Sequence, residues 1–207
     1  MGGVISELIG AGAIERIGRN RYIASNSRHS IYHQHYSEQL ETIASCITDK
    51  YPLVVFMIWD TLALNEFLNH QIANSTIFVE VEPVLERAVF EHLRQTLDRT
   101  VLFKPDQKSL NTYWEPGVIV VQKLTSQVPT SRENKHLPAL EKIVVDLFAN
   151  KLLETLFSQD ELPSVIEQIF ERYTIDESRL YRYAKRRNCY ERILAFIRDK
   201  TKVLQKL

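Results

Sequence analysis

Residues 53–59 read LVVFMIW, seven apolar positions without a break. A strand with one wet face alternates apolar and polar residues, and this run has no polar member to turn toward water. It therefore predicts a strand covered on both sides, inside a sheet that carries helices. The run is far too short to cross a bilayer, so no membrane association is expected.

The segments around it fit the same plan. Residues 75–82 (STIFVEVE), 100–103 and 118–121 read as further strands, with 53–59 and 75–82 as neighbours. Residues 37–50 carry Leu40, Ile43, Ala44 and Ile47 at helical spacing, and Pro52 ends that element. Asp60 is placed to cap a helix at 61–70, and Pro83 to open one running to about Leu97. From Leu137 onward the chain reads as helical. Pro138 opens a helix bearing Leu140, Ile143, Val144, Leu147 and Phe148, and helices follow at about 161–173, 176–187 and 189–206. Strands alternating with helices, then helices alone, give an α/β (α+β) sheet domain at 37–125 and a C-terminal helical subdomain at 137–207. Residues 4–11 form a short helix, with Val4, Ile5, Leu8 and Ile9 on one side. Residues 13–24 form two short strands around Gly18-Arg19-Asn20, and the polar stretch 26–36 reads as a linker.

Glycine placement excludes several common enzymes. Six glycines occur in 207 residues, none between Arg19 and Pro116. No glycine-rich run precedes a Lys-Ser/Thr pair, so backbone amides cannot wrap phosphates as in a P-loop. Glu15 stands where a dinucleotide fingerprint needs its third glycine, and no G-x-S-x-G elbow is present. Two cysteines, Cys46 and Cys189, lie far apart, which argues against a disulfide-built secreted fold and for a reducing cytoplasm. The first residues lack the pattern of a signal peptide.

Charge is balanced, 26 basic against 26 acidic residues, but it is unevenly spread. Residues 1–30 hold four arginines and two glutamates; residues 172–207 hold eleven basic and four acidic residues. The middle is left with eleven against twenty, so an acidic body carries two basic ends. Such ends suit phosphate-like or acidic partners, although a basic helix face can also pack on an acidic body.

The N-terminal segment resembles the second half of a winged helix-turn-helix. Gly12, Ile14, Arg16, Gly18, Arg19 and Tyr22 closely match, without fully reproducing, the Gly-Ile-x-Arg-x-Gly-Arg-x-x-Tyr pattern of a wing hairpin. The resemblance makes residues 1–25 a partial winged helix, with 4–11 as recognition helix. The two helices that normally precede are missing, as expected of a truncation or a late-assigned methionine. The remaining chain is similar to an uncharacterised bacterial family related to AbiEi-type antitoxins of abortive-infection, type IV toxin–antitoxin systems. The matching runs are IWDTLALNEFLNHQ (58–71), FVEVEPVLERAVFEHLR (78–94), LPALEKIVVDLFANK (137–151) and YTIDESRLYRYAKRR (173–187), and the likeness covers nearly all of 1–200. It implies a DNA-binding wing and a nucleotidyltransferase-like mixed sheet with helices behind it. It also implies an antitoxin that represses its own operon and counters a nucleotidyltransferase-like toxin.

Four constellations bear on chemistry. Arg16, Arg19 and Arg21 lie on the wing, where guanidinium forks match phosphate oxygens; a solvated hairpin would carry them equally well. Glu80 and Glu82, two apart on a strand, share a face as a magnesium-binding pair would. The pattern is degenerate, however: the pair is Glu rather than Asp, Asp60-Thr61 replaces Gly-Ser, and Gln122 and Lys123 stand where a third metal ligand belongs. His29, His33 and His35, with His70 or His92, lack the spacing of a zinc site, and Cys46 reads as a packed thiol. Arg179, Arg182 and Arg186 share a helix face that suits a phosphate, an RNA or an acidic partner, with Leu180, Tyr183 and Ala184 turned inward. The resemblance, together with the degenerate carboxylate pattern, implies a non-enzymatic, DNA-binding antitoxin-like regulator without a cofactor. The alternatives are a transferase using magnesium with a nucleotide at Glu80 and Glu82, and a protein-interaction module without DNA binding.

Overall fold

The computed structural model describes residues 3–10, 14–18, 21–24, 30–73, 75–154 and 158–203. Helix α1 (Gly3–Gly10) leads into an antiparallel pair, β1 (Ile14–Gly18) and β2 (Arg21–Ala24), with Ile14 opposite Ala24. Val4, Ile5, Leu8 and Ile9 of α1 remain substantially exposed. The expected tip at Arg19-Asn20 lies outside the described residues, as do 25–29.

Helix α2 (Glu38–Lys50) starts where Ser37 accepts from the Leu40 amide, and it buries the four predicted residues Leu40, Ile43, Ala44 and Ile47. Strand β3 (Phe56–Asp60) comes next. The apolar run is thus only partly strand: Pro52-Leu53 is a turn, and Leu53 and Val55 are 92 % and 57 % exposed. Pro52 and Leu53 form a turn after α2, so pairing begins only once the chain has left that turn. Asp60 caps as expected, accepting from the Leu62 amide at 2.8 Å, but it caps a 3-10 turn at Thr61–Glu66 rather than a helix to 70. The Asn65 side chain explains the difference. It donates to the Ile72 carbonyl and accepts from the Ile72 amide, closing a loop that sends Phe67, Leu68 and Ile72 into the core.

Strand β4 (Thr76–Val81) precedes helix α3 (Glu86–Thr96). Pro83 lies in the turn before that helix and not in its first turn, because Val84 takes a left-handed backbone (φ 83°) incompatible with helix. Strand β5 (Val101–Phe103), the short helix α4 (Gln107–Tyr113) and strand β6 (Val118–Lys123) come after it. Helix α4, which no sequence pattern predicts, is capped by Asp106, which accepts from the Ser109 amide. Helices α5 (Leu140–Ala149), α6 (Leu162–Arg172), α7 (Glu177–Arg186) and α8 (Tyr190–Lys200) complete the chain.

The four-stranded sheet is mixed, in the order β3-β4-β6-β5. β3 is antiparallel to β4, while β6 runs parallel to both β4 and β5. Side-chain alternation gives each face its own core. Phe56, Ile58, Ile77, Val79, Ile119 and Val121 meet α2 and α3, whereas Trp59, Phe78, Val118 and Val120 meet the C-terminal helices. The C-terminal helices therefore cover one face of the sheet. The expected linker is also docked over its described part. The Ser30 amide donates to the Arg172 carbonyl, the Thr174 amide donates to the Ser30 carbonyl, and Tyr32 packs edge-on against Tyr173. No helix among the described residues is long and apolar enough to cross a membrane.

Candidate functional site

Glu80 points from β4 into the face covered by α5, and it is fully buried. Its partner there is Lys142 of α5, whose ammonium contacts the Glu80 carboxylate, lies 2.7 Å from Asp146 Oδ2 and sits 4.9 Å above the Trp59 ring. Asp146 Oδ1 is in turn 2.9 Å from Arg187 Nη1, which donates to the Tyr183 hydroxyl at 3.1 Å. Two carboxylates and two cations thus form a charge-neutral chain between the sheet, α5 and the end of α7. Burial pulls the Lys142 ammonium down, but Asp146 and Glu80 outweigh it and hold its pKa above the ordinary lysine range. Burial, with Asp146 nearby, pushes the Tyr183 phenol well above the usual tyrosine value.

The two glutamates expected to pair do not meet. Glu82 lies just past the last residue of β4, and its Oε1 accepts from the Val55 amide at 2.8 Å, closing the start of β3. Gln122 stands opposite Glu80 in the parallel register, so the third ligand position carries an amide. Asp60 is no nearer. It pairs with Ile77, three rungs from Glu80, and by alternation it faces the other way; both its oxygens accept locally, from Leu62 and from the Ser75 hydroxyl. Among the described residues, no group of three or more His, Cys, Asp or Glu side chains is arranged to hold a metal ion. His33 pairs with Glu133, His70 with Glu161, and His92 hydrogen-bonds the Cys46 carbonyl, three separate places. The Cys46 thiol is half-buried 3.5 Å from His92, and burial raises its pKa.

The arginines separate as well. Arg16 is exposed on β1 and lines a cleft with Ile14, Tyr32, Arg132, Glu141 and Arg179. Arg21 belongs to β2; Arg19 and His29 lie outside the described residues. Arg179 turns away from the other two α7 arginines and donates to the Thr130 carbonyl at 2.7 Å. Arg182 and Arg186 are exposed beside Lys185, and Leu180, Tyr183 and Ala184 are buried behind them.

Lys142 and Asp146 are not among the residues that the sequence singles out, and Arg187 stands out there only as one of several basic residues crowding its helix. A signal exists for both: a lysine and an aspartate four apart in LEKIVVDLFA, a helix apolar on nearly all sides. Its residues Leu140–Phe148 are all buried, so these charges had to be paired inside.

A family model described as a family of unknown function, DUF6577, matches residues 1–203, and the chain belongs to that family. No curated protein and no solved structure matches the chain.

Proposed function

We propose that this member of the family is a non-catalytic, DNA-binding regulator of the antitoxin type, with a nucleotidyltransferase-like domain that has lost its chemistry. The observation that carries the reading is the closure of Glu80. A carboxylate that holds magnesium against a triphosphate has to reach solvent, metal and substrate together. Glu80 is closed off from solvent, and Lys142 neutralises it inside a chain of paired charges. Support for DNA comes from the N-terminus: α1 leads directly into an antiparallel ribbon with Arg16 exposed, in a segment whose sequence resembles a wing. Arg16, Arg19 and Arg21 then contact the sugar-phosphate backbone, which positions the protein without reading bases. In this reading the chain represses its own operon in the cytoplasm, and its protein partner is a nucleotidyltransferase-like toxin.

The test is titration of a labelled duplex from the DNA upstream of the protein's own reading frame, at several salt concentrations. Binding is expected, with Arg19→Ala lowering the salt slope by about one phosphate's worth. Absence of binding even at low salt rejects the DNA reading. Magnesium-dependent transfer of labelled nucleotide that disappears on Glu80→Gln rejects the claim that the domain is inactive.

A further inference from the structure

The basic C-terminal segment does not spend its cations evenly. Arg172 pairs with Glu66, Arg179 donates to Thr130, Arg187 pairs with Asp146 and Arg198 pairs with Asp199. Three others, Arg182, Lys185 and Arg186, converge on one open hollow at the end of α7, together with Gln127, Ser178 and Tyr181. Among the described residues, none of the three has a carboxylate within ion-pair reach, so they are not a face held against the acidic body.

The C-terminal end of a helix attracts cations, and that accounts for some positive charge here. It does not account for Arg182 and Arg186 at i and i+4, a like-charge spacing that weakens a helix. Ring contacts support one wall of the hollow. The Lys185 ammonium rests 4.7 Å over the Tyr190 ring, and Tyr190 meets Tyr181 edge-on at 5.6 Å. Gln127, which holds a left-handed backbone (φ 59°) in the turn after β6, lines the same hollow as Ser178.

From this arrangement we infer that the hollow is a phosphate-binding site. Two guanidinium forks, one ammonium and two neutral donors suit the oxygens of a pyrophosphate group or of two neighbouring phosphodiesters. The ligand chemistry is shared by a nucleic-acid backbone and by a free polyphosphate. The site is independent of the hairpin, but it is carried by a helix that packs on it. α7 contacts β1, and Arg179 shares the Arg16 cleft about 10 Å along the helix axis from Arg186.

The experiment compares the wild-type chain, Arg182→Ala/Arg186→Ala and the control Lys200→Ala. Each is titrated with inorganic pyrophosphate by calorimetry and with a 20-base-pair duplex by anisotropy at several salt concentrations; circular dichroism and Tm confirm folding. Pyrophosphate affinity is expected to fall at least tenfold in the double variant and to hold in the control. A duplex salt slope reduced by about two assigns the site to a nucleic-acid backbone. An unchanged duplex slope alongside lost pyrophosphate binding assigns it to a free polyphosphate. A double variant that binds both probes like the wild type overturns the inference, and so does a wild-type chain that binds neither. Pyrophosphate binding that depends on Arg182 and Arg186, with no duplex binding at all, sinks the DNA-regulator reading and leaves this site standing.

Discussion

The two faces of the sheet are stabilised in different ways. On the α2–α3 side, Ile47, Ile58, Ile77, Val79, Val89 and Leu93 meet with essentially no exposure, and the charged Glu86 stays at the rim with half-exposed Lys104. On the other side, Glu80, Lys142 and Asp146 sit at 0 % exposure among equally apolar neighbours. Apolar burial is non-directional and tolerates small slips. A buried ion pair is directional, because any slip strands a charge. It adds little net stability over well-packed apolar residues, but breaking it by removing one partner is expensive. The first face is held by area, and the second is held in addition by the pairing of particular atoms across elements far apart in sequence.

The sharpest way to break this contrast is Lys142→Ala, which strands Glu80 and leaves Asp146 to Arg187 alone. The expected loss is about 3–5 kcal/mol in urea unfolding. The paired replacement Glu80→Leu/Lys142→Met is expected to recover most of it. If the double variant is no more stable than the single one, the pairing account of this face is wrong. Next in size is Ile47→Ala on the apolar face, with an expected loss of about 2–4 kcal/mol from a cavity. That loss should be the same at pH 6 and pH 9, since no charge is involved.

The third prediction concerns alkali. The folded chain keeps the Tyr183 and Lys142 protons above the ordinary values of 10.0 and 10.5 at which the unfolded chain releases them. Their contribution is thus complete below about pH 10, and stability falls as pH rises beyond it, by about 1.4 kcal/mol per pH unit for each proton retained. Tyr183→Phe is expected to make that slope shallower by about one proton, as measured by urea midpoints from pH 8 to pH 11. An identical slope would show that the phenol titrates alike in both states. The smallest effect is Leu53→Ser, expected within about 0.5 kcal/mol, since this member of the apolar run lies in solvent.

The legible parts of this molecule are those governed by local pattern. The 3.6-residue spacing in α2 identifies its buried residues, and the apolar runs locate all four strands of the sheet. Leu53 escapes that logic because an apolar run does not reveal where a turn releases the strand. The site is less legible, for a reason of distance. Glu80 and Lys142 are 62 positions apart, and nothing near either one says that they meet. Alternation puts Glu82 on the same face as Glu80, yet the strand ends one residue too soon for the face to extend to it. Arg179, Arg182 and Arg186 share a helical stripe, but the Thr130 carbonyl draws the first away.

The seam at Ser30 sets how far the hairpin can act. Ser30 is sewn to both sides of Tyr173 at the junction of α6 and α7, and only six peptide steps separate it from Ala24 at the end of β2. Six fully extended steps reach about 20 Å. Under the proposed reading, a duplex held by the hairpin is therefore kept beside the helical layer. A second contact there is made at the high effective concentration of a tethered reaction rather than by a fresh encounter in solution. Under the proposed reading, weak contacts along α7 then add to the grip of the hairpin without having to be strong alone. Cutting the seam, by moving Ser30 away from Tyr173, would leave the hairpin tied to the helical layer through the contact of β1 with α7 alone.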